Sequence, residues 1–188
     1  IRKGERTKEL LINIVTSSET GFDEEGFVTG LHNLDLDNQI VGVLRTFNDN
    51  IADAVNCQHL EILWGRDFYM EEILGLKFKV SAFSFFQTNV EAVERLYSES
   101  LALIDDLQGK SVFDLYCGTG TISQILALKA SKVLGIEIVE EAVQAAKENA
   151  KLNGLDNCQF IAGDVFEVLK NVEEKPYVIV VDPPRVGM

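Results

Sequence analysis

The stretch FDLYCGTGTIS at residues 113–123 constrains the fold more than any other part of the chain. An apolar run closes on Asp114, breaks into a loop carrying Gly118 and Gly120, and resumes with the apolar spacing of a helix, which is how a strand hands over to a cofactor. From Lys110 onward the elements alternate: strand SVFDLY, the loop, helix TISQILALKA, strand KVLGIEI, helix VEEAVQAAKENAKL stopping at Asn153-Gly154, strand CQFIAG, short helix DVFEVLK and strand YVIVVD. Apolar strands alternating with helices predict a parallel sheet covered on both faces, with the ligand at the strands' carboxyl ends.

Before residue 85 the pattern differs. LLINIVTS, GFVTG, IVGVLRT, HLEILWG and LKFKVS are short β-branched and apolar segments separated by Gly, Asn and Asp turns, which predicts a β-rich unit with one helix around Asn50 to Asn56. TNVE at 88–91 has the form of a capping box, with the Thr88 hydroxyl accepting from the Glu91 amide. Val93, Leu96, Tyr97, Leu101 and Ile104 follow at helical spacing, so a helix is expected from Asn89 to Leu107. The expected division is a β-rich α+β segment over 1–84 and a cofactor-binding α/β part over 85–188.

Composition narrows the class. A chain of 188 residues with 46% hydrophobic content and three prolines reads as folded, and its longest apolar runs are strand-sized, too short to span a bilayer. The opening IRKGERTKEL lacks the apolar centre of a signal peptide and begins on Ile1, so a cytoplasmic protein without its natural start is expected. Cys57, Cys117 and Cys158 share no metal-ligand spacing, which suits reduced thiols and no bound metal. The net charge of −13 argues mildly against a nucleic-acid footprint in this stretch; the one basic cluster, Arg2, Lys3, Arg6 and Lys8, reads as a solvated edge.

The loop itself selects among cofactors. A phosphate-cradling P-loop needs Lys and Ser or Thr after the glycines, but Thr121-Ile122 follows Gly120. The dinucleotide fingerprint lacks its third glycine, because Ser123 stands there. Asp114 would repel a pyrophosphate yet could accept from an ammonium, such as that of S-adenosylmethionine. Glu137 closes the next strand, where a carboxylate can take ribose hydroxyls, and Asp164 closes the third, within reach of an adenine amino group. Each acid alone is an ordinary cap or strand end; the three together with Gly-x-Gly favour S-adenosylmethionine over a nicotinamide. Asp182-Pro183-Pro184-Arg185 then ends the fourth strand with a rigid, donor-poor backbone, either as a plain strand stop or as a platform beside the transferable methyl. Methyltransferases acting on exocyclic base amines usually carry an aromatic after Pro-Pro, so Arg185 counts against that substrate.

SFFQTN (84–89), DLYCGTGT (114–121), GIEIVEEAV (135–143) and VDPPR (181–185) in this order resemble the RNA uracil-5-methyltransferases, which make 5-methyluridine in ribosomal or transfer RNA. The resemblance implies an incomplete Rossmann-like methyltransferase fold of about four strands after a β-rich, RNA-facing segment. It implies S-adenosyl-L-methionine bound by Gln87, Tyr116, the Gly118 loop up to Thr121, Glu137, Asp164 and Asp182, with Phe85 and Arg185 facing the RNA base or its phosphate. Phe85 as plain core remains the alternative.

Uracil C5 chemistry needs a cysteine thiolate adding to carbon 6 and a general base removing the carbon-5 proton. In that family both follow the Asp-Pro-Pro-Arg strand, so they are expected after Met188. Cys117, beside the cofactor loop at the amino-acid end of the sulfonium rather than under a flipped base, reads as a buried small residue rather than as the nucleophile. Ribosomal RNA is preferred to transfer RNA as the partner, and no membrane is expected. Base N-methylation through Asp182 and Pro183, and a non-catalytic RNA-binding module, stay open. Taken alone the fragment is expected to be inactive and to self-associate through the open edge of VIVVD.

Overall fold

The computed structural model describes residues 1–19, 21–49 and 59–183, so the helix expected at Asn50 to Asn56, Cys57 and Arg185 lie outside the described residues. The chain forms two compact units, Ile1–Glu72 with Lys79–Phe83, and Ile73–Phe78 with Ser84–Met188. Among the described residues no helix is long and apolar enough to cross a membrane.

In the first unit, β1 (Arg2–Lys3) runs antiparallel to β2 (Glu9–Thr16), β2 parallel to β3 (Gln39–Phe47), and β3 antiparallel to β4 (His59–Gly65), in the order β1-β2-β3-β4. The parallel pair requires a crossover, and α1 (Glu24–His32) supplies it. This corrects the strand expected at GFVTG. Asp23 caps α1 by accepting from the Gly26 amide at 2.9 Å, Glu24 and Glu25 favour its first turn, and Phe27, Val28 and Leu31 pack on Ile12, Ile40 and Val43. The two glycines concealed a helical face that tertiary packing makes worthwhile. Gly42 sits where a Cβ would lie 1.8 Å from the Arg66 carbonyl oxygen, so only glycine fits there. Thereafter β5 (Phe68–Ile73) pairs with β6 (Leu76–Ser81) through Leu74-Gly75, whose φ values of 50° and 79° are those of a type I′ hairpin turn.

The second unit carries α2 (Val90–Ala102), β7 (Ser111–Leu115), α3 (Thr121–Ala127), β8 (Lys132–Glu137), α4 (Glu140–Leu152), β9 (Cys158–Ala162), α5 (Val165–Leu169) and β10 (Val178–Val181). Two details of α2 differ from expectation. Its cap is Asn89, accepting from the Ala92 amide at 3.0 Å, one residue after Thr88, and it stops at Ala102. Asn is at least as good a cap as Thr, and the shift turns Val90, Val93 and Tyr97 inward. All four strands pair in parallel, in the order β10-β7-β8-β9. On one face Val112 and Val133 pack with Leu126, Ala127 and Ala130 around α3, while Phe160 packs with Val143, Ala146 and Ala150 of α4. On the other, Phe113, Leu115, Leu134 and Ile136 meet Val165, Val168 and Leu169 of α5. After α4, Asn153 takes the Lys77 amide on its side-chain oxygen at 2.9 Å and donates to the Lys77 carbonyl at 2.8 Å and to Gln124 at 2.9 Å.

The order of this sheet positions a site. From β7 the chain proceeds outward through β8 and β9, whereas β10 returns to β7's other side. Strand order therefore reverses at β7, and a crevice opens past its carboxyl end, where the glycine loop begins.

Candidate functional site

The loop after β7 is built by backbone geometry that its sequence permits. Tyr116, Gly118 and Gly120 take left-handed φ values of 65°, 53° and 76°. The Gly118 amide donates to Glu137 at 3.0 Å, while the other Glu137 oxygen accepts from the Val139 amide at 3.0 Å. Glu137 thus fixes the loop to the end of β8 and keeps lone pairs for a further donor, since a carboxylate accepts at about four positions. Gly120 and Gly135 admit Phe160: a Cβ on either would lie 2.9 or 2.6 Å from its ring. Thr121 opens α3.

Asp114 is 1% exposed. One oxygen accepts from the Ser123 hydroxyl at 2.6 Å, and the other, Oδ1, is buried with no hydrogen-bond partner. Burial, against the Ser123 hydrogen bonds and with the Asp182 and Glu137 charges adding, raises its pKa from 3.8 to about 7. Tyr97 is buried on α2, and burial followed by the Asp182 and Asp114 charges, against the Gln87 side chain, pushes its hydroxyl up to about 12. The structure therefore brings together Gln87, Tyr97, Asp114, Glu137 and Asp182. Among the described residues no cation stands among the groups acting on Asp114 or Tyr97, and no three His, Cys, Asp or Glu side chains are grouped to hold a metal ion.

The remaining expected residues are placed differently. Asp164 is exposed and caps α5, accepting from the Phe166 and Glu167 amides at 2.9 and 3.1 Å. Phe85 is 77% exposed, so it is not core; its neighbour Phe86 is the buried ring, 5.8 Å from Phe78. Cys117 is buried, and burial with the Asp114 and Glu137 charges pushes its thiol up; Cys158 is pushed up to about 12, chiefly by burial. Neither thiol is poised to form the thiolate.

Sequence reasoning missed Ser123 and Tyr97 as site residues. Ser123 occupies the slot of the absent third glycine, and a hydroxyl nine residues after a buried acid was its signal. Tyr97 looked like one more apolar position on α2, although a buried tyrosine hydroxyl needs a partner.

The arrangement suits a ligand that brings hydrogen-bond donors and positive charge: an orphaned buried acceptor, open acceptor capacity at Glu137, and three carboxylates that would repel a pyrophosphate. Residues 106–183 match the methyltransferase-domain family. Over its full length the chain is 52% identical to an uncharacterized RNA methyltransferase of Clostridium tetani and 53% identical to one of Caldanaerobacter subterraneus subsp. tengcongensis, and it spans 41% and 42% of those proteins. The Pyrococcus abyssi tRNA (uracil-54, C5)-methyltransferase, solved in complex with S-adenosyl-L-homocysteine, aligns with 99% of this chain and 43% of its own at 26% identity and a TM-score of 0.77. The second unit thus has the α/β fold of the S-adenosylmethionine-dependent methyltransferases, within a chain that is similar throughout to about two fifths of proteins named RNA methyltransferases.

Proposed function

We propose that this chain is the cofactor-binding portion of an enzyme that methylates carbon 5 of a uridine in RNA. The observation that carries the cofactor reading is the carboxylate cluster around the Gly118 loop, with no cation acting on Asp114 among the described residues, and its orphaned Asp114 oxygen. S-adenosylmethionine, when bound, supplies a methyl on a positively charged sulfur. Asp114 and Asp182 would favour its cationic groups, Glu137 its ribose hydroxyls, Asp164 its adenine amino group, and Gln87, Tyr116 and Thr121 the remaining polar contacts. The likeness to a solved tRNA uracil-C5 enzyme supports the base and position, and the names of the long relatives support RNA as the substrate.

Phe85, exposed beside the buried Phe86, would stack on a uridine turned out of its helix, with Arg185 holding its polar groups or phosphate. Burial holds Cys117 and Cys158 as thiols, which speaks against either as the nucleophile that adds to carbon 6; that group and the base that removes the carbon-5 proton would come from other parts of the protein. We place the enzyme in the cytoplasm, with its RNA. The 188-residue chain by itself should be inactive and self-associate through β10, which pairs with β7 on one edge and leaves Ile179 and Val181 half exposed.

Incubating the full-length protein with RNA tritiated at carbon 5 of uridine tests the reading. Release of tritium in step with methyl transfer is the expected result; methyl transfer without release would overturn it in favour of base N-methylation. Transfer by the 188-residue chain alone would return Cys117 to consideration.

A further inference from the structure

We propose that Ser123 is a positioning residue for the cofactor: its hydroxyl holds one oxygen of Asp114 and so leaves the other, Oδ1, set to take the ammonium at the cofactor's amino-acid end. This rests on the cofactor reading above and extends it to a residue of α3 that touches Asp114 rather than the ligand.

An aspartate placed by its strand is not yet aimed. Asp114 is the penultimate residue of β7, beside the crevice, and alternation along the strand sends it to the same face as Val112, toward α3. The last torsion of an aspartate side chain is broad and two-fold, so the backbone does not fix the plane of the carboxylate. The Ser123 hydroxyl does, at 2.6 Å from Oδ2, within the range of an O–H donor on a carboxylate. Oδ1 is buried and has no partner. With Oδ2 spent, Oδ1 is the acceptor that remains for a donor brought from outside.

The serine is itself firmly held. It is fully buried in the first turn of α3, where the Gln124 amide donates to the Gly120 carbonyl at 3.0 Å, and Ile125, Leu126 and Ala127 are buried beyond it. Alanine would fill nearly the same space; serine adds the hydroxyl. That hydroxyl donates to the carboxylate or accepts from the acid, so it keeps its hold on Oδ2 in either protonation state. An acid and hydroxyl kept only for the fold would leave no buried oxygen without a donor.

The test is calorimetric titration of the full-length protein with S-adenosylhomocysteine and, separately, with 5′-methylthioadenosine, which keeps the adenosine and sulfur but lacks the amino-acid end. Ser123→Ala should weaken S-adenosylhomocysteine roughly 3- to 10-fold and leave 5′-methylthioadenosine within about 2-fold, because the carboxylate is no longer aimed. Ser123→Thr, which keeps the hydroxyl, should bind both ligands like wild type. In an Asp114→Asn background, where no carboxylate is left to aim, Ser123→Ala should cost less than about 2-fold. Wild-type affinity in Ser123→Ala, equal loss for both ligands, an undiminished loss in the Asp114→Asn background, or a threonine variant that melts normally yet binds like the alanine one would each overturn the proposal. If Ser123→Ala melts far below wild type, Ser123→Cys, a poor donor of similar size, takes its place: the same selective loss is expected, and wild-type affinity overturns the proposal. No binding of S-adenosylhomocysteine by the unsubstituted protein would overturn the cofactor reading and this proposal with it.

Discussion

Glu71 in the first unit and Asp114 in the second are equally hidden, at 2% and 1% exposure, yet their surroundings are opposite. Glu71 accepts from the backbone amides of Glu5, Arg6 and Glu72, and nearby Glu9 takes both Arg66 and the Met70 amide. Arg45, buried in the same unit, is bonded to Glu24 and Thr16 and stacked 4.3 Å over Phe47. Asp114 has one hydroxyl for a partner and Glu137 and Asp182 for neighbours. A buried carboxylate that receives every donor it needs from its own chain serves the fold. One left with an empty acceptor and like-charged company serves something that arrives later.

The most severe way to break this contrast is on the satisfied side. Glu71→Ala leaves three part-buried amides without their acceptor and should lower stability by about 3–5 kcal/mol in urea unfolding. A loss under 1 kcal/mol would mean that the turn around Thr7 holds without it.

Asp114→Asn tests the unsatisfied side and should act in the reverse sense. The folded state raises this pKa from 3.8 to about 7, so the native protein holds a proton that the unfolded chain has already released. The associated stability is complete below about pH 3.8 and is lost as pH rises through about 7. The asparagine variant, able to accept from Ser123 without ionising, should therefore gain on the order of 1–3 kcal/mol over wild type at pH 8 and nothing at pH 4. A constant difference between the two proteins across that range would show that Asp114 does not titrate there.

Glu137→Ala sharpens the comparison by touching a carboxylate with both roles. Losing its charge-assisted bonds should weaken S-adenosylhomocysteine by roughly 1–3 kcal/mol in calorimetry. Unchanged affinity would reduce Glu137 to an anchor for the Gly118 loop. The smallest effect on the fold is expected at Phe85, whose exposed ring contributes within about 0.5 kcal/mol of stability. Phe85→Ala should melt like wild type and bind cofactor normally, while RNA methylation falls; a methylation rate equal to wild type would remove Phe85 from the RNA face.

The second unit was the more legible of the two because its βα alternation is a local pattern: every strand from β7 to β10 begins within a residue of where the sequence puts it. GFVTG failed because its glycines mask a helical face that forms against β2, β3 and β4. Within FFQ, composition could not say which ring turns inward; Phe78 decides it by packing on Phe86. The acids at the strand ends were readable one by one, but not their union with Tyr97 and Gln87, since that grouping joins a helix face to a loop.

The clamp that Asn153 places on Lys77 bears on how the molecule ages. Asn followed by Gly is the dipeptide most prone to cyclise to a succinimide, because the glycine amide nitrogen can reach the side-chain carbonyl unhindered. Here the Gly154 amide is engaged by the Lys151 carbonyl, and the Asn153 amide is spent on Lys77 and Gln124. Native protein should resist this reaction, and deamidation mapped by mass spectrometry should concentrate in chains stored partly unfolded. Once it occurs it is self-locking: the resulting carboxylate cannot donate to the Lys77 carbonyl, so a chain that has opened and aged there cannot close in the same way again.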